Sequence, residues 1–363
     1  MPEYWDGEIP WATPKDLSDL QDVTISKTPR MITEAGLRSC GAKILPASSV
    51  LFSSRAPIGH VAINSVPMAT NQGFKSLVPR KDVLDARYLY HWLRHSRSYL
   101  ESLGNGATFK EVSKAVVARV EIPLPPMQEQ LRLARILDQA QALERQRRRT
   151  SRLLDNLADS IKHSIFSQEP WRSRPLEDWL DPARPLTYGI LMPGPDVAEG
   201  VPYVRVADIQ DGQIVRATVR HTTAQIAHQY RRSTLEPGDL LISIRGHVGR
   251  LAPVPASLAG ANITQDSARL AVTRGIPGYV RAALESAELQ AWMARRTKGA
   301  AVRGINLGDL RSAPIPDAPE AVQRRLALEL QEVELQKRLG IEHLQELDGL
   351  SRSLQARAFS GRL

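Results

Sequence analysis

The stretch IPLPPMQEQLRLARILDQAQALERQRRRTSRLLDNLADSIKHSIF, residues 122–166, places three prolines ahead of a run that contains neither proline nor glycine. Proline holds the residue before it in an extended conformation and suits the first turn of a helix. The stretch therefore predicts one long helix that begins directly after the prolines. A similar stretch, IPDAPEAVQRRLALELQEVELQKRLGIEHLQELDGLSRSLQARAF, covers residues 315–359. We expect the chain to contain this helix twice.

The two stretches belong to a longer internal repeat, which is the first feature to establish in a sequence. Identical residues recur 193 positions apart without any change of offset. The matched pairs include Gln72 with Gln265, Gly106 with Gly299, Ile122 with Ile315, Gln130 with Gln323, Leu154 with Leu347, Leu157 with Leu350 and Phe166 with Phe359. Farther upstream VLFSSRAPIGHV, residues 50–61, matches LLISIRGHVGRL, residues 240–251, at an offset of 190. Loops between these segments have therefore changed length.

Each copy consists of a mixed domain followed by the long helix. Short apolar runs that end at an arginine and a glycine turn, as in VLFSSR and DLLISIR, are typical of strands. Segments such as ARYLYHWLRHSRSYLESL, residues 86–103, carry apolar residues at three- and four-residue spacing, which predicts amphipathic helices. We expect an α+β protein. Its predicted parts are a first mixed domain at residues 1–126, a first long helix at 127–168, a second mixed domain at 169–319 and a second long helix at 320–363.

The second copy contains a lead-in that the first copy lacks. It reads WRSRPLEDWLDPARPLTYGILMPG, residues 171–194, whereas the first copy begins almost at EYWDGEIPW. We expect that the first domain is shortened at its start or tolerates the loss of this segment.

Both predicted helices carry an apolar stripe at alternating three- and four-residue spacing, called here the seam. The seam residues are Leu137, Ala140, Leu154, Ala158 and Ile161 in the first helix, and Leu330, Val333, Gly340, Leu344, Leu347 and Leu354 in the second. Such a stripe buries one helix face against another helix. Because each helix starts from its own domain, we predict that the two helices pack antiparallel and separate the two domains. The alternative is that each helix folds back on its own domain.

Composition limits the class of protein. With 363 residues, of which 42% are hydrophobic, the chain is long enough for two or three domains with buried cores. Its beginning, MPEYWDGEIP, lacks the basic and apolar regions of a signal peptide, and we expect a cytoplasmic protein without a membrane segment. Cys40 is the only cysteine, which excludes an intramolecular disulfide. The net charge of +9 weakly indicates a polyanionic partner.

Motifs of the common nucleic-acid enzymes are absent from the sequence. It contains no Gly-x-x-x-x-Gly-Lys-Ser/Thr phosphate loop and no acidic residue followed two positions later by lysine. Its single Pro-Pro lacks the flanking residues with which amino-methyltransferases hold a flipped base. His91 and His95 lie four residues apart, but we expect no acidic third ligand near them. We therefore expect a protein that is not an enzyme and has no catalytic residues, metal site or cofactor of its own.

Several of these motifs together resemble a known family. They are PEYWDGEIPWATPKDL, VLFSSRAPIGHVAI, ATNQGF and GATFKEVSKAVVARVEIPLPPMQEQLRLARIL in the first copy, and YGILMPG, VPYVRVADI and LLISIRGHVGR in the second. Over nearly its whole length the chain resembles the specificity subunit of type I restriction-modification systems. The resemblance implies two target-recognition domains, each reading one half of a split site in double-stranded DNA, separated by two antiparallel helices. It also implies that these helices dock two methyltransferase (modification) subunits, which carry the S-adenosylmethionine chemistry of DNA methylation, and that restriction and motor subunits join this core.

Recognition of DNA requires cations for phosphates and forked donors for base edges. The candidate DNA-binding residues are Arg55, Gln72, Lys110, Lys114, Arg245, Gln265 and Arg303. Arg55 and Arg245 could reach guanine, or could pair with a carboxylate of their own domain. Gln72 and Gln265 could contact adenine, but we favour a loop-capping role for both.

Partner-binding candidates lie on the long helices. They are Leu137, Leu154, Leu157, Leu330, Leu347 and Leu350. The basic run Arg145, Arg147, Arg148, Arg149 and Arg152 could contact DNA between the half-sites, contact an acidic partner, or remain solvated. Two other functions stay open. The chain could be a stand-alone, non-enzymatic DNA-binding scaffold, or the recognition part of another restriction or methyltransferase system.

Overall fold

The computed structural model describes residues 2–55, 57–106, 110–167, 171–299 and 303–363. The chain divides into two compact units. The first unit contains residues 1–150 together with 340–363, and the second unit contains residues 151–339. Both units combine short strands with helices, so the fold belongs to the α+β class. No helix in the described ranges has the length and apolarity that crossing a membrane requires.

The first unit contains two small sheets and several helices. Its strands are β1 (Trp5–Ala12), β2 (Thr24–Ile25), β3 (Met31–Ile32), β4 (Val50–Phe52), β5 (Val61–Asn64) and β6 (Ala69–Thr70). They form sheets of order β3-β1-β6 and β2-β5-β4. The helices are α1 (Pro14–Ser18), α2 (Glu34–Ser39), α3 (Ala86–His95), α4 (Arg97–Ser102), α5 (Lys114–Val117) and α6 (Met127–Phe166), the last of which continues into the second unit. The helix α3 begins where Asp85 Oδ1 accepts hydrogen bonds from the backbone N–H groups of Arg87 and Tyr88.

The second unit repeats this plan with more strands. They are β7 (Ser173–Pro175), β8 (Thr187–Tyr188), β9 (Val201–Val204), β10 (Ile209–Gln210), β11 (Gln213–Ile214), β12 (Arg220–Thr222), β13 (Leu240–Ser243), β14 (Leu251–Pro253), β15 (Asn262–Ile263), β16 (Ser267–Leu270) and β17 (Pro314–Pro316). The helices are α7 (Ala224–Gln229), α8 (Pro277–Glu285), α9 (Ala287–Arg296), α10 (Leu307–Arg311) and α11 (Glu320–Phe359). The sheets have the orders β12-β9-β15, β14-β13-β16-β8, β10-β11 and β17-β7.

The strand pairings agree with the internal repeat. The strand β1 pairs antiparallel with β3 and parallel with β6, and β9 pairs in the same two ways with β12 and β15. Both β4 with β5 and β13 with β14 are antiparallel pairs. The lead-in of the second copy is part of the second unit, because β7 pairs with β17 and β8 pairs with β16. Trp179, between β7 and β8, is fully buried.

Each unit has its own apolar core. In the first unit Leu89 of α3 belongs to one buried cluster with Phe52 of β4 and Ile63 of β5. In the second unit Val280 of α8 belongs to the equivalent cluster with Ile242 of β13. Burial of one such side chain stabilises a fold by about 1.5–3 kcal/mol. These cores support the turns that follow β4 and β13.

The long helices begin where the prolines end. The helix α6 starts directly after Pro126, and α11 starts directly after Pro319. Each contains 40 residues, which corresponds to about 60 Å at 1.5 Å per residue. The expected end of the first helix at residue 168 lies outside the described residues. The second helix ends at Phe359 rather than at residue 363, ahead of Gly361, whose φ of +71° suits the residue after a helix.

Within each unit the two long helices run in opposite directions. In the first unit Arg132 of α6 donates to the carbonyl of Leu363 at 2.8 Å, and Leu137 shares an apolar cluster with Ala358 of α11. In the second unit Lys337 Nζ of α11 lies 2.5 Å from Asp155 Oδ1 of α6. Farther along α6, Ile165 packs on the cluster that contains Leu326 of α11, so the contacts progress in opposite senses.

A matched tyrosine joins each core to both long helices. The Tyr88 hydroxyl donates to the carbonyl of Pro123 at 3.0 Å, and its ring lies 5.5 Å from that of Phe359. The Tyr279 hydroxyl donates to the carbonyl of Pro316 at 2.9 Å, and its ring lies 5.5 Å from that of Phe166. Phe359 ends the second helix and packs in the first unit. The alternative that each helix folds back on its own domain is therefore wrong.

Candidate nucleic-acid interface

The two candidate arginines lie on the same kind of turn after a buried strand. Ser53 follows β4 and Ser243 ends β13, and each serine Oγ accepts a hydrogen bond at 2.8 Å from the backbone N–H seven residues later. Gly59 and Gly249 have φ angles of +90° and +93°, which a residue with a side chain rarely adopts. Serine and glycine together fix the path of the turn. The sequence pattern that predicted a strand followed by a glycine turn reflects this arrangement.

In the first unit Arg55 is held by a carboxylate of its own domain. Glu111 Oε2 accepts hydrogen bonds from Arg55 Nη2 at 2.9 Å and from Arg55 Nε at 3.2 Å. Lys75 Nζ donates to the other oxygen of Glu111 at 3.1 Å. Hydrogen bonds from Lys75 and then Arg55 lower the pKa of Glu111 below its ordinary value. One edge of the Arg55 guanidinium is therefore occupied within the domain.

In the second unit Arg245 has a different environment. Its Nη1 donates to Gln265 Oε1 at 3.1 Å and lies 3.9 Å from Asp266 Oδ1. Half of the Arg245 side chain, 50%, is exposed. Its Nε and Nη2 make no hydrogen bond to any residue that the structure describes. The guanidinium edge that Glu111 occupies in the first unit is thus available here to an external acceptor.

The loop-capping role expected for the two glutamines belongs to another residue. Asn71 Oδ1 accepts a hydrogen bond from the Gly73 N–H at 3.0 Å, which closes the turn beside Gln72. Gln72 is exposed. The amide oxygen of Gln265 orients Arg245 instead of binding a loop N–H. Among the described residues, Asn71 thus takes the capping role that the sequence led us to expect for Gln72, and Gln265 binds Arg245 instead of capping a loop.

The other cationic candidates lie on the surface around these turns. Lys110 and Arg303 are 193 positions apart and both are exposed. The carbonyl of Arg303 accepts a hydrogen bond from the Gly246 N–H at 2.8 Å, which fixes Arg303 beside the Arg245 turn. Lys114 is exposed at the first residue of α5. Exposed cations beside a possible base-reading arginine suit contacts with phosphate oxygens.

Part of the basic run of α6 lines a cleft of about 370 Å³ in the first unit. Its ionisable lining includes Arg94, Arg97, Arg145, Arg148 and His60, with the acidic Asp22 and Glu144. Arg145 Nη1 lies 3.2 Å from Asp22 Oδ1, so this arginine is partly neutralised. Burial, followed by the charge of Arg97, lowers the pKa of His60 below its ordinary value. The positive charge of the cleft at neutral pH therefore comes from its arginines.

The six partner-binding candidates divide into buried and exposed side chains. Leu137 is 2% exposed and packs inside the first unit, so the expectation that it contacts another protein is wrong. Leu154, Leu330 and Leu347 are half-buried. Leu157 and Leu350, which the repeat matches, are 47% and 52% exposed. These two leucines stay candidates for contact with a partner.

Sequence reasoning missed acidic residues that come from distant elements. Glu111 lies 56 positions from Arg55, and Asp138 of α6 lies 47 positions from His91 but 2.9 Å from its Nε2. The expectation of no acidic group near His91 is therefore wrong. In the described parts of the chain, no group of three His, Cys, Asp or Glu side chains could hold a metal ion. The sequence signal that could have singled out Glu111 is the internal repeat, which places an acidic residue in the first copy where the second copy has Gly304.

Comparison with known proteins gives relatives over parts of the chain. Residues 2–150 match the family described as the type I restriction modification DNA specificity domain. The type I restriction enzyme MjaIX specificity subunit of Methanocaldococcus jannaschii is 37% identical over 174 residues, which are 47% of this chain and 40% of the relative. The chain thus spans less than half the length of that protein. The EcoBI specificity subunit of Escherichia coli is 28% identical over 334 residues, which are 82% of this chain and 70% of the relative.

Two solved structures share the fold. The type I restriction-modification S subunit of M. genitalium aligns with a TM-score of 0.62 at 14% identity, over 98% of this chain and 94% of that chain. A chain from a structure of complex assembly in the type I restriction-modification system aligns with a TM-score of 0.56 at 20% identity, over 100% and 96%. At these identities the likeness concerns the fold. Residues 2–150 thus match the type I restriction modification DNA specificity domain, and the relatives named above are type I restriction enzyme specificity subunits.

Proposed function

We propose that this chain is the DNA-recognition subunit of a type I restriction-modification complex and has no catalytic role of its own. The environment of Arg245 is the observation that carries the proposal. Its guanidinium stands on a fixed turn with one edge available, and the exposed Arg303 is held beside it. Paired N–H donors of arginine recognise guanine O6 and N7, and neighbouring cations bind phosphates. The net charge of +9 agrees with a polyanionic ligand.

The target is proposed to be split into two halves. Each copy of the repeat supplies one recognition domain, at residues 1–126 and 169–319, and each domain would read one half-site. The long helices α6 and α11, with 40 residues each, would hold the domains apart. Their opposite directions inside each unit support a shared antiparallel spacer. A stretch of DNA that is not read would then separate the two half-sites.

The same helices are proposed to dock two methyltransferase subunits in the cytoplasm, to which restriction and motor subunits are added. Leu157 and Leu350 support this assignment, because they are about half exposed and occupy matched positions on α6 and α11. Exposed leucines on a helix surface are common where another helix binds. Two matched positions would present two equivalent docking surfaces, one for each subunit.

The proposal is tested by producing the chain together with the methyltransferase subunit of its own restriction-modification system. The purified complex is supplied with S-adenosylmethionine and DNA of mixed sequence, and the methylated sites are mapped. We expect one split target with two fixed half-sites. The chain alone, supplied with S-adenosylmethionine, ATP and magnesium, should yield no methylated or cleaved DNA. Turnover by the chain alone, or methylation by the complex without sequence preference, would contradict the proposal.

Docking is tested separately with Leu157→Asp and Leu350→Asp. A charged side chain at the centre of a protein interface is costly, so each change should weaken copurification of the methyltransferase subunit by tenfold or more, on the order of 1–3 kcal/mol. Leu131→Asp is the control, since Leu131 is 40% exposed on the same helix but lies about 39 Å along the helix from Leu157. Full copurification with both aspartates present would contradict docking on these faces.

A further inference from the structure

The matched turns of the two units carry a carboxylate at different positions, Glu111 beside Arg55 and Asp266 beside Arg245. Glu111 exchanges two backbone hydrogen bonds with Asn105, at 3.0 and 3.1 Å. Gly304 exchanges the same two with Lys298, both at 2.8 Å. Each position also forms an isolated β-bridge to the turn arginine of its own unit. Glu111 and Gly304 therefore occupy the same place in the fold, and only one of them carries a side chain that can bind the arginine.

The second cation that binds Glu111 is also confined to the first unit. The backbone N–H of Lys75 donates to the carbonyl of Phe52 in β4. The matched residue of the second unit is Ala268, which pairs with Ile242 of β13. Lys75 reaches Glu111 at 3.1 Å, whereas the matched Ala268 is fully buried and apolar. The described residues of the second unit thus contain no equivalent of this three-residue network.

We propose that Glu111 is a specificity-determining residue, which binds the Nε–Nη2 edge of Arg55 so that only the second domain reads DNA with this edge of its turn arginine. This inference rests on the proposed function. Arginine recognises guanine through two parallel N–H donors on one edge. The Nε–Nη2 edge of Arg55 donates to Glu111, and the same edge of Arg245 has no acceptor among the described residues.

Reaching a base with its Nε–Nη2 edge would require Arg55 to break two charge-assisted hydrogen bonds. It would also leave the Glu111 carboxylate, still bound to Lys75, beside the negatively charged DNA. Arg245 faces a weaker constraint, because its contact with Asp266 is at 3.9 Å and its hydrogen bond to Gln265 is to a neutral amide. The two half-sites are consequently read with different chemistry at a matched position.

The second unit offers a way to install the constraint. A Cβ at Gly304 would lie 3.1 Å from Arg245 Cγ and 3.1 Å from the carbonyl oxygen of Ile244. A glutamate side chain built there would start beside Arg245, as Glu111 does beside Arg55. The change Gly304→Ala adds the same Cβ without the carboxylate, and it controls for crowding at the carbonyl.

The test uses the full chain in complex with its methyltransferase subunits and duplexes in which each base of both half-sites is changed in turn. The measured quantity is the ratio of methylation rates on the correct and the altered duplex. We expect Arg245→Ala to reduce this ratio about tenfold at one position of one half-site, within the range for a bidentate contact. Gly304→Glu should do the same, and Gly304→Ala should retain at least half of the ratio. In Arg55→Ala, the ratio of methylation rates should stay within about twofold of its native value at every position of the half-site read by the first domain.

The reverse change gives an independent arm. Glu111→Gly should release Arg55 and create a preference of at least fivefold for guanine at one position of the first half-site. The double variant with Arg55→Ala should remove that preference.

A loss of discrimination in Arg55→Ala as large as that in Arg245→Ala overturns the inference, as does an unchanged ratio in both Gly304→Glu and Glu111→Gly. If Gly304→Glu does not fold, as shown by its melting curve, the Glu111→Gly arm decides. A native complex without preference in either half-site contradicts the proposed function instead.

Discussion

At the scale of single residues, the buried pair of His91 and Asp138 links α3 with α6 in the first unit. His91 is 2% exposed, and its Nε2 lies 2.9 Å from Asp138 Oδ1. Arg87 binds the other Asp138 oxygen at 2.9 Å. Burial lowers the pKa of His91, although its hydrogen bond to Asp138 acts in the opposite direction. Burial acts to raise the pKa of Asp138, but His91 and Arg87 together lower it. The pair is therefore a neutral imidazole that donates to a carboxylate.

This pair gives the first unit a dependence on mild acid. Because the pKa of His91 is depressed on folding from its ordinary 6.5, the unfolded chain takes up the proton more readily. The contribution to stability is present above pH 6.5 and is lost as the pH falls below it toward the folded-state pKa. We expect the free energy of unfolding to fall as the pH is lowered from about 6.5 to 5, and to fall less in His91→Gln. Urea titrations at each pH measure this, and identical slopes for the two proteins would contradict it.

The matched tyrosines give a second prediction at this scale. Burial raises the pKa of Tyr279, so its hydroxyl stays protonated and donates to the carbonyl of Pro316. Phenylalanine at Tyr279 or at the matched Tyr88 would leave a proline carbonyl without its donor. We expect each change to lower the free energy of unfolding by about 1–2 kcal/mol. Tyr99, which is 52% exposed, is the control. The change Tyr99→Phe should alter the free energy of unfolding by less than about 0.5 kcal/mol. Equal effects of all three changes would show that the hydroxyl bonds do not matter.

At the scale of elements, α6 and α11 could be predicted from the sequence because the cause of each is local. Prolines set their starts, and the seam spacing is visible over many turns. Strands such as β2 and β3 have two residues each, and their pairing with segments far along the chain defines them. The candidate site divides in the same way. Arg55 and Arg245 were found from the repeat, but Glu111 was not, because its contact depends on how the chain folds between them.

The buried face of α6 gives a prediction for the helix as an element. Leu133 is 2% exposed in the cluster that also contains Tyr88 and Ala358, whereas Leu131 on the same turn is 40% exposed. Truncation of a buried leucine removes apolar contacts and leaves a cavity. We expect Leu133→Ala to lower the free energy of unfolding by about 2–5 kcal/mol, and Leu131→Ala by less than about 1 kcal/mol. Urea unfolding of the two variants measures the difference, and similar losses would mean that α6 is not anchored through this face.

At the scale of the whole molecule, each unit takes the start of one long helix and the end of the other. The first unit contains the start of α6 and the end of α11, and the second unit contains the reverse. The tyrosine contacts with Phe359 and Phe166 follow the same exchange. A change in helix length must therefore be made in both helices at once. Under the proposed function, such a paired change alters the distance between the half-sites without altering either recognition domain.

The final prediction uses this exchange. We would duplicate residues 139–142 after Ala142 in α6 and residues 345–348 after Asp348 in α11, two places that both lie in the first unit. The contact of Arg132 with Leu363 sets an antiparallel register there in which the two insertions lie about one helical turn apart along the helix pair. Four residues continue the three- and four-residue alternation of the seam, and each copy adds one seam residue, Ala140 or Leu347. The added length is about 6 Å, or one to two base pairs of DNA.

We expect the complex with these insertions to methylate the same two half-sites with a gap longer by one or two base pairs. The half-sites stay the same because the turns that carry Arg55 and Arg245 are unchanged. Four residues rotate a helix by about 400°, close to one full turn, so the reading loops keep nearly their original direction. Mapping of methylated sites across a genome measures both the half-sites and the gap. The control carries the insertion in α6 alone, which shifts the seam of one helix against the other and should abolish assembly. An unchanged gap with altered half-sites would show that the helices do not set the spacing.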